Sequence, residues 1–306
     1  MQTSYSYIPN RPGFPEHRIT RRLEIFTKDA LTLRGWQLAA AGSAKGNVVI
    51  IHGFKDYSER YLDFATELSN NGYQVFAYDQ RGHARSDGDR VYFPDFDIVT
   101  HDLLLAMQVF KRYDNQKPWI ILGHSIGASV AARYALLHDD ELAGLIMSAP
   151  ALKKMPELQG LIVSALKTAN FFVPHFGIID LPNEKFSRDP DIVNKMNNDM
   201  LITNKKIPAR SGVSALENME YIQENKSKAK IPFLILHGSY DQINNIEGSR
   251  EFFEETPNIP GKDLKIYPGL AHDLLHEPEH SIVEKDIINW INLISTRKNI
   301  NRDLLA

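Results

Sequence analysis

The stretch Trp119-Ile120-Ile121-Leu122-Gly123-His124-Ser125-Ile126-Gly127 decides the fold. Trp119 to Leu122 is an apolar run of the length expected for a buried strand, and Ala128 to Leu137, rich in alanine, reads as a helix. Between them lies a Gly-x-Ser-x-Gly turn. In this pattern a sharp strand-to-helix turn pushes a serine hydroxyl out of the sheet, and the flanking glycines have no Cβ to meet neighbouring backbone. The N–H of Ile126 falls at the helix N-terminus, where free donors and the helix dipole favour a negatively charged oxygen. The five-residue pattern alone also fits a Gly-rich loop with a surface serine, so its weight comes from the strand and helix around it.

On the N-terminal side, residues 1–18 show no hydrophobic period and are expected to form an irregular arm. Arg22 to Phe26 and Leu31 to Leu38 alternate apolar and polar residues around Lys28-Asp29-Ala30, as in an antiparallel hairpin. Val48 to Ile51 is a β-branched run of the kind buried in a parallel sheet, and it ends at His52-Gly53-Phe54. Helical spacing over Tyr61 to Asn70, a strand from Tyr73 to Tyr78 and a helix from Phe96 to Tyr113 lead back to the central stretch. Leu142 to Met147 is the next strand. Alternation of this kind predicts a mostly parallel sheet with helices on both faces.

The rhythm breaks over residues 151–227, which hold apolar helical patches but no convincing strand. It resumes with a strand from Ile231 to Leu236, a helix from Ile246 to Glu255, a strand from Asp263 to Tyr267 and a closing helix from Ser281 to Ser295. The expected organisation is one α/β core, residues 1–150 and 228–306, with residues 151–227 inserted as a helical cap.

Composition narrows the chemistry. The 306 residues are 43% hydrophobic and 24% charged with a net charge of -3, which gives no reason to expect a nucleic-acid partner. With no cysteine there is no disulfide, thiolate nucleophile or thiolate metal site. Neither an apolar signal segment nor a run of about 18 apolar residues is visible, so a cytoplasmic protein, with peripheral membrane contact left open, is expected.

Ligands of open α/β sheets bind beyond the carboxyl ends of the strands. Ser125, Asp241 and His272 all follow predicted strands, in the chain order Ser, Asp, His. A hydroxyl is a weak nucleophile at neutral pH; His272 can take its proton, while Asp241 holds the imidazole tautomer and stabilises the imidazolium. Taken singly, Asp241 could cap a helix and His272 could be structural; order and placement favour the catalytic set. The loop His52-Gly53-Phe54 supplies a second oxyanion donor, the Phe54 N–H, to pair with that of Ile126. His52 is expected to fix the loop rather than catalyse, and Asp79 to belong to a buried polar network. His272, His276 and His280 lie four apart, but Pro278 breaks any helix that would align them, so no metal is expected and His276 and His280 are read as surface residues.

Together, His52-Gly53-Phe54, Asp79 to Gly88 (DQRGHARSDG), Gly123 to Gly127, Ser187-Arg188-Asp189-Pro190, His237-Gly238-Ser239-Tyr240-Asp241 and Tyr267 to Glu277 resemble the monoacylglycerol lipase and lysophospholipase branch of the α/β-hydrolases, over about residues 22–296. That family usually has glycine where Ala84 stands. The resemblance implies a cofactor-free serine hydrolase in which Ser125, Asp241 and His272 form the triad and Phe54 and Ile126 the oxyanion hole. It further implies a single-chain lipid ester as substrate, a monoacylglycerol first. A lysophospholipase, a broad carboxylesterase and a catalytically silent ligand binder are the other readings. In the inserted segment Leu158, Ile162, Leu166, Phe171 and Ile178 belong to an apolar surplus suited to an acyl channel or to a lipid interface.

Overall fold

A computed structural model describes residues 18–156 and 160–303, with side chains described as far as Thr296. The arm expected over residues 1–18 therefore lies, apart from Arg18, outside the described residues, as does Leu158.

The chain runs through β1 (Arg21–Phe26), β2 (Thr32–Leu38), β3 (Gly46–Ile51), α1 (Leu62–Asn70), β4 (Tyr73–Tyr78), α2 (Phe96–Phe110), β5 (Trp119–His124), α3 (Ile126–Leu137) and β6 (Gly144–Ser148). After β6 come α4 (Leu161–Phe172), β7 (Gly177–Ile179), α5 (Pro190–Asn198), β8 (Ile207–Pro208) and α6 (Ala209–Asn225). The remainder is β9 (Phe233–Gly238), α7 (Ile246–Glu255), β10 (Asp263–Tyr267) and α8 (His280–Asp303). Among the described residues eight strands form one sheet in the order β1-β2-β4-β3-β5-β6-β9-β10. Its pairings of β1 with β2 and of β2 with β4 are antiparallel, and the other pairings of this sheet are parallel. The alternation of strands and helices predicted this mostly parallel sheet with helices on both faces, and the resemblance implied the α/β-hydrolase fold that the chain has.

Alternation along each strand assigns the two faces. Val49, Ile51, Ile121 and Met147 pack with residues of α2 and α3, whereas Val48, Ile50, Ile120, Leu122 and Ile146 pack with residues of α1 and α8. Both faces are covered, which is why these strands read as continuous apolar runs.

β6 and β9 are adjacent and parallel, yet residues 149–232 separate them in sequence. The structure corrects one expectation for this segment: it holds strands. β7 and β8 pair antiparallel, with Gly177 opposite Pro208 and Ile179 opposite Ile207. They are three and two residues long and one contains proline, so no period-2 pattern could reveal them. Boundaries also move: α2 ends at Phe110 instead of Tyr113, and α8 runs on to Asp303.

Strand order reverses at β3. From β3 the chain passes to β4 on one side and then to β5 on the other, so the carboxyl ends of β3 and β5 flank a topological switch point. At this point the backbones are in close contact. A Cβ on Gly127 would lie 2.3 Å from His52 O and 2.5 Å from Ile51 O. Gly127→Ala is therefore expected to destabilise the fold by about 3 kcal/mol, the upper end of the cost of overpacking, as measured by urea unfolding.

Candidate active site

Ser125 occupies the turn between β5 and α3 with φ 56° and ψ -122°. A left-handed φ at a residue with a Cβ costs about 1–3 kcal/mol and persists only where the surroundings enforce it. Here the Ser125 N–H donates to Ser148 O at 2.8 Å, and its carbonyl receives the N–H of Ala128 at 3.0 Å. The loop after β3 closes over it: a Cβ on Gly53 would stand 3.0 Å from that of Ser125. The backbone amides of Phe54 and Ile126 thus belong to the two segments that flank the serine. His52 does what was expected of it, its Nε2 accepting the Gln80 N–H at 2.9 Å while Gln80 Nε2 donates to His52 O at 2.6 Å. Asp79 takes the N–H and the hydroxyl of Ser58, at 2.9 and 2.7 Å, and is a loop anchor.

The structure brings Asp241 and His272 together. His272 Nδ1 donates to Asp241 Oδ2 at 2.8 Å, and the N–H groups of Ile243 and Asn244 donate to Oδ1 at 2.8 and 3.0 Å. His237 Nε2 stands 3.1 Å from the same Oδ2, an ion-pair distance without hydrogen-bond alignment. Burial works to raise the Asp241 carboxyl, but the charge of the adjoining His272 ring, helped by His237, outweighs it and holds the group far below the usual carboxylate range. His272 is itself buried, and its Nε2 has no hydrogen-bond partner among the described residues. One ring nitrogen is thus held by a carboxylate while the other makes no hydrogen bond among these residues.

Several residues around this pair were not foreseen. The His124 ring lies 4.8 Å from that of His272, and burial together with the His272 charge lowers its pKa to about 4, so it is neutral at pH 7. Behind it, Asp273 Oδ2 accepts from Arg60 Nη2 at 2.7 Å, and Arg60 Nη1 reaches Asp56 Oδ1 at 2.8 Å. Tyr61 donates to Asp56 Oδ2 at 2.7 Å. His276, expected on the surface, is instead a member of this network, with Nδ1 2.7 Å from Asp273 Oδ1 and Nε2 3.1 Å from Arg60 O. Proline breaks the histidine series as read, yet the tight turn carries His276 inward. His280 is exposed and meets Glu284 at 3.1 Å.

The segment between β6 and β9 reaches this site through its middle, at Phe186 to Arg188. Phe186 O accepts the Asp273 N–H at 2.8 Å, and the Phe186 ring meets the His272 ring edge-on at 5.5 Å. Glu277, fully buried, accepts from Ser187 Oγ at 2.6 Å, Arg188 Nε at 2.5 Å and the Ala271 N–H at 3.1 Å. The apolar stripe of α4 divides. Leu166 is buried against Ala209, Val213 and Leu216 of α6, so it is a packing residue. Phe171 is 81% and Phe172 73% exposed; Ile162 and Ile178 are exposed as well. No helix among the described residues is long and apolar enough to cross a membrane.

In the buried network, burial raises the Asp56 and Asp273 carboxyls, but Arg60, with His276 at Asp273, overrides it and both lie below the usual value. Groups depressed in this way contribute stability above the unfolded pKa and lose it as the pH falls toward the folded one. Arg60→Met leaves two facing buried carboxylates, so it is expected to cost about 3–5 kcal/mol at pH 7, the range for breaking a buried pair. The deficit should shrink toward pH 4, where the carboxylates of the variant take up protons; urea unfolding at the two pH values measures it.

Residues 42–279 match the family described as "Serine aminopeptidase, S33". The monoacylglycerol lipase of Mycolicibacterium smegmatis is 28% identical over 81% of this chain and 88% of its own length. A monoglyceride lipase homolog of Monkeypox virus is 30% identical over 81% of this chain and 89% of its own. The crystal structure of Paleococcus ferrophilus monoacylglycerol lipase superposes with a TM-score of 0.75 at 27% identity, covering 86% of this chain and 98% of that one. The chain belongs to the serine aminopeptidase S33 family, as a monoacylglycerol lipase-like α/β-hydrolase, and is a carboxylic ester hydrolase.

Proposed function

We propose that the chain hydrolyses monoacylglycerols to fatty acid and glycerol through an acyl-enzyme on Ser125. Ser125 Oγ attacks the ester carbonyl while His272 Nε2 takes its proton, and Asp241 holds the ring and balances the imidazolium. The carbonyl π electrons move to oxygen, which the N–H groups of Phe54 and Ile126 receive. The tetrahedral species expels the glycerol oxygen, to which His272 delivers the proton. Water, deprotonated by His272, then attacks the acyl carbon and frees the fatty acid. The pairing of Asp241 with a buried His272 whose Nε2 is open carries the mechanistic part. The match over nearly the full length of relatives named monoacylglycerol lipase supports the substrate class.

Residues 151–227 act in this proposal as a cap over the carboxyl ends of the strands. Ile162, Phe171, Phe172 and Phe176 expose their side chains together on its first half, and a lipid interface is the partner that such a surface suits. Their exposure argues that they meet a membrane or micelle before they meet the acyl chain.

Two experiments test the proposal. Initial rates on monooleoylglycerol, oleoyl lysophosphatidylcholine and a chromogenic acetate are expected to favour the first, and Ser125→Ala should reduce all three by at least about a thousandfold. Preference for the phospholipid would make the chain a lysophospholipase, and activity on the acetate alone a broad esterase; undiminished Ser125→Ala would overturn the mechanism. In the second, Phe171→Asp with Phe172→Asp is expected to keep acetate hydrolysis but lose about tenfold or more on monooleoylglycerol in vesicles, two rings being worth several kcal/mol of burial. Equal loss on both substrates would count against the interface.

A further inference from the structure

Asn244 stands outside the triad, and neither its position in the sequence nor the family motifs single it out. Its side chain is 7% exposed, with Nδ2 2.7 Å from Ala149 O and 3.4 Å from Ser125 Oγ. Its backbone N–H donates to Asp241 Oδ1 at 3.0 Å, so the residue is anchored from both sides of the site.

The Ala149 contact fixes which end of the amide faces the serine. A backbone carbonyl only accepts, so the group against it is the NH2 and not the amide oxygen. An NH2 only donates, and Ser125 Oγ must therefore accept from it. Its own proton is left for a different acceptor. His272 has Nδ1 engaged by Asp241, while its Nε2 makes no hydrogen bond among the described residues and so keeps a lone pair that can take that proton during reaction. At 3.4 Å the contact is long, as catalytic hydrogen bonds often are before charge develops on the acceptor.

We propose that Asn244 is a further catalytic residue, whose amide donates to the nucleophile oxygen in both halves of the reaction. This rests on the assignment of Ser125 as the nucleophile. In acylation the donated hydrogen bond sets the polarity of the hydroxyl, so that its proton points to the base and a lone pair to the carbonyl carbon. In deacylation the bond between the acyl carbon and Oγ breaks, its electron pair goes to Oγ, and His272 returns the proton taken from water. The Asn244 N–H stabilises Oγ while that pair arrives.

The test uses Asn244→Leu, which keeps the shape without the donor, Asn244→Asp, which replaces the donor by an acceptor, and Ser125→Ala. Thermal melting reports folding. Pre-steady-state hydrolysis of a soluble 4-nitrophenyl ester and the rate of labelling by a fluorophosphonate report acylation. Asn244→Leu is expected to lose about 10- to 100-fold in labelling rate and kcat, at or below the loss for one oxyanion donor, with KM within about twofold. For Asn244→Asp the rate relative to the parent should rise as pH falls, because the protonated acid regains a donor. A folded Asn244→Leu with the parent's acylation rate would overturn the inference. Should that variant not fold, an Asn244→Asp ratio that stays flat with pH would do the same. Activity surviving in Ser125→Ala would instead remove the nucleophile assignment on which both rest.

Discussion

Gly127 sits so close to the carbonyls of Ile51 and His52 that no side chain fits between them, and the rest of the site depends on that approach. It presses the first turn of α3 onto the end of β3 at the place where the strand order reverses. The two segments that carry the Phe54 and Ile126 amides are thereby held on either side of Ser125. The cost is a serine with φ 56°, in a region that a side chain rarely adopts. That strain is held in place by backbone hydrogen bonds to Ser148 and Ala128, both set by the register of the sheet and the start of the helix. Local conformation, strand topology and the position of the Ser125 hydroxyl are one constraint seen at three scales.

The other half of the site is held by charge. His272 is fixed by a carboxylate whose own ionisation the ring maintains against burial. Behind it, Asp56, Arg60 and Asp273 form a buried ionic wall that His276 hydrogen-bonds, with neutral His124 between that wall and the His272 ring. Glu277 joins the loop carrying His272 to Ser187 and Arg188 of the inserted segment. Removing Arg60 from such a wall would leave the Asp56 and Asp273 carboxylates facing each other in low dielectric. The segment between β6 and β9 is thus tied down where it meets the proposed base, while Phe171, Phe172 and Phe176 before that point face outward.

Much of this was legible in the sequence because the core strands are covered on both faces. Val48 to Ile51 and Trp119 to Leu122 are continuous apolar runs because they lie in a parallel sheet covered on both faces, and the glycines of the elbow stand where backbones touch. The meeting of Asp241 with His272 was legible from their order and their strand-end positions. The rest was hidden for physical reasons. β7 and β8 are too short to repeat a period of two residues. His276 reads as a surface residue because Pro278 follows, but the turn from Asp273 carries it back to Arg60. Asn244 follows no motif: its importance lies in touching Ala149 and Ser125, both remote in sequence. Leu166 and Phe171 belong to one stripe, yet one faces α6 and the other solvent, a division that depends on where α6 lies.

At Ala84 the chain departs from the glycine usual in the resembling family, and the backbone there keeps a φ of 39° regardless, with the side chain buried in a cluster beside Tyr57 and Phe186. The turn is thus imposed by its surroundings and not by the residue.

The most direct measurement is mass spectrometry of the protein mixed with monooleoylglycerol and quenched in acid within its first turnovers. The account predicts one oleoyl group in ester linkage on the peptide that contains Ser125. An acyl group on another residue, or none while fatty acid is being released, would contradict it.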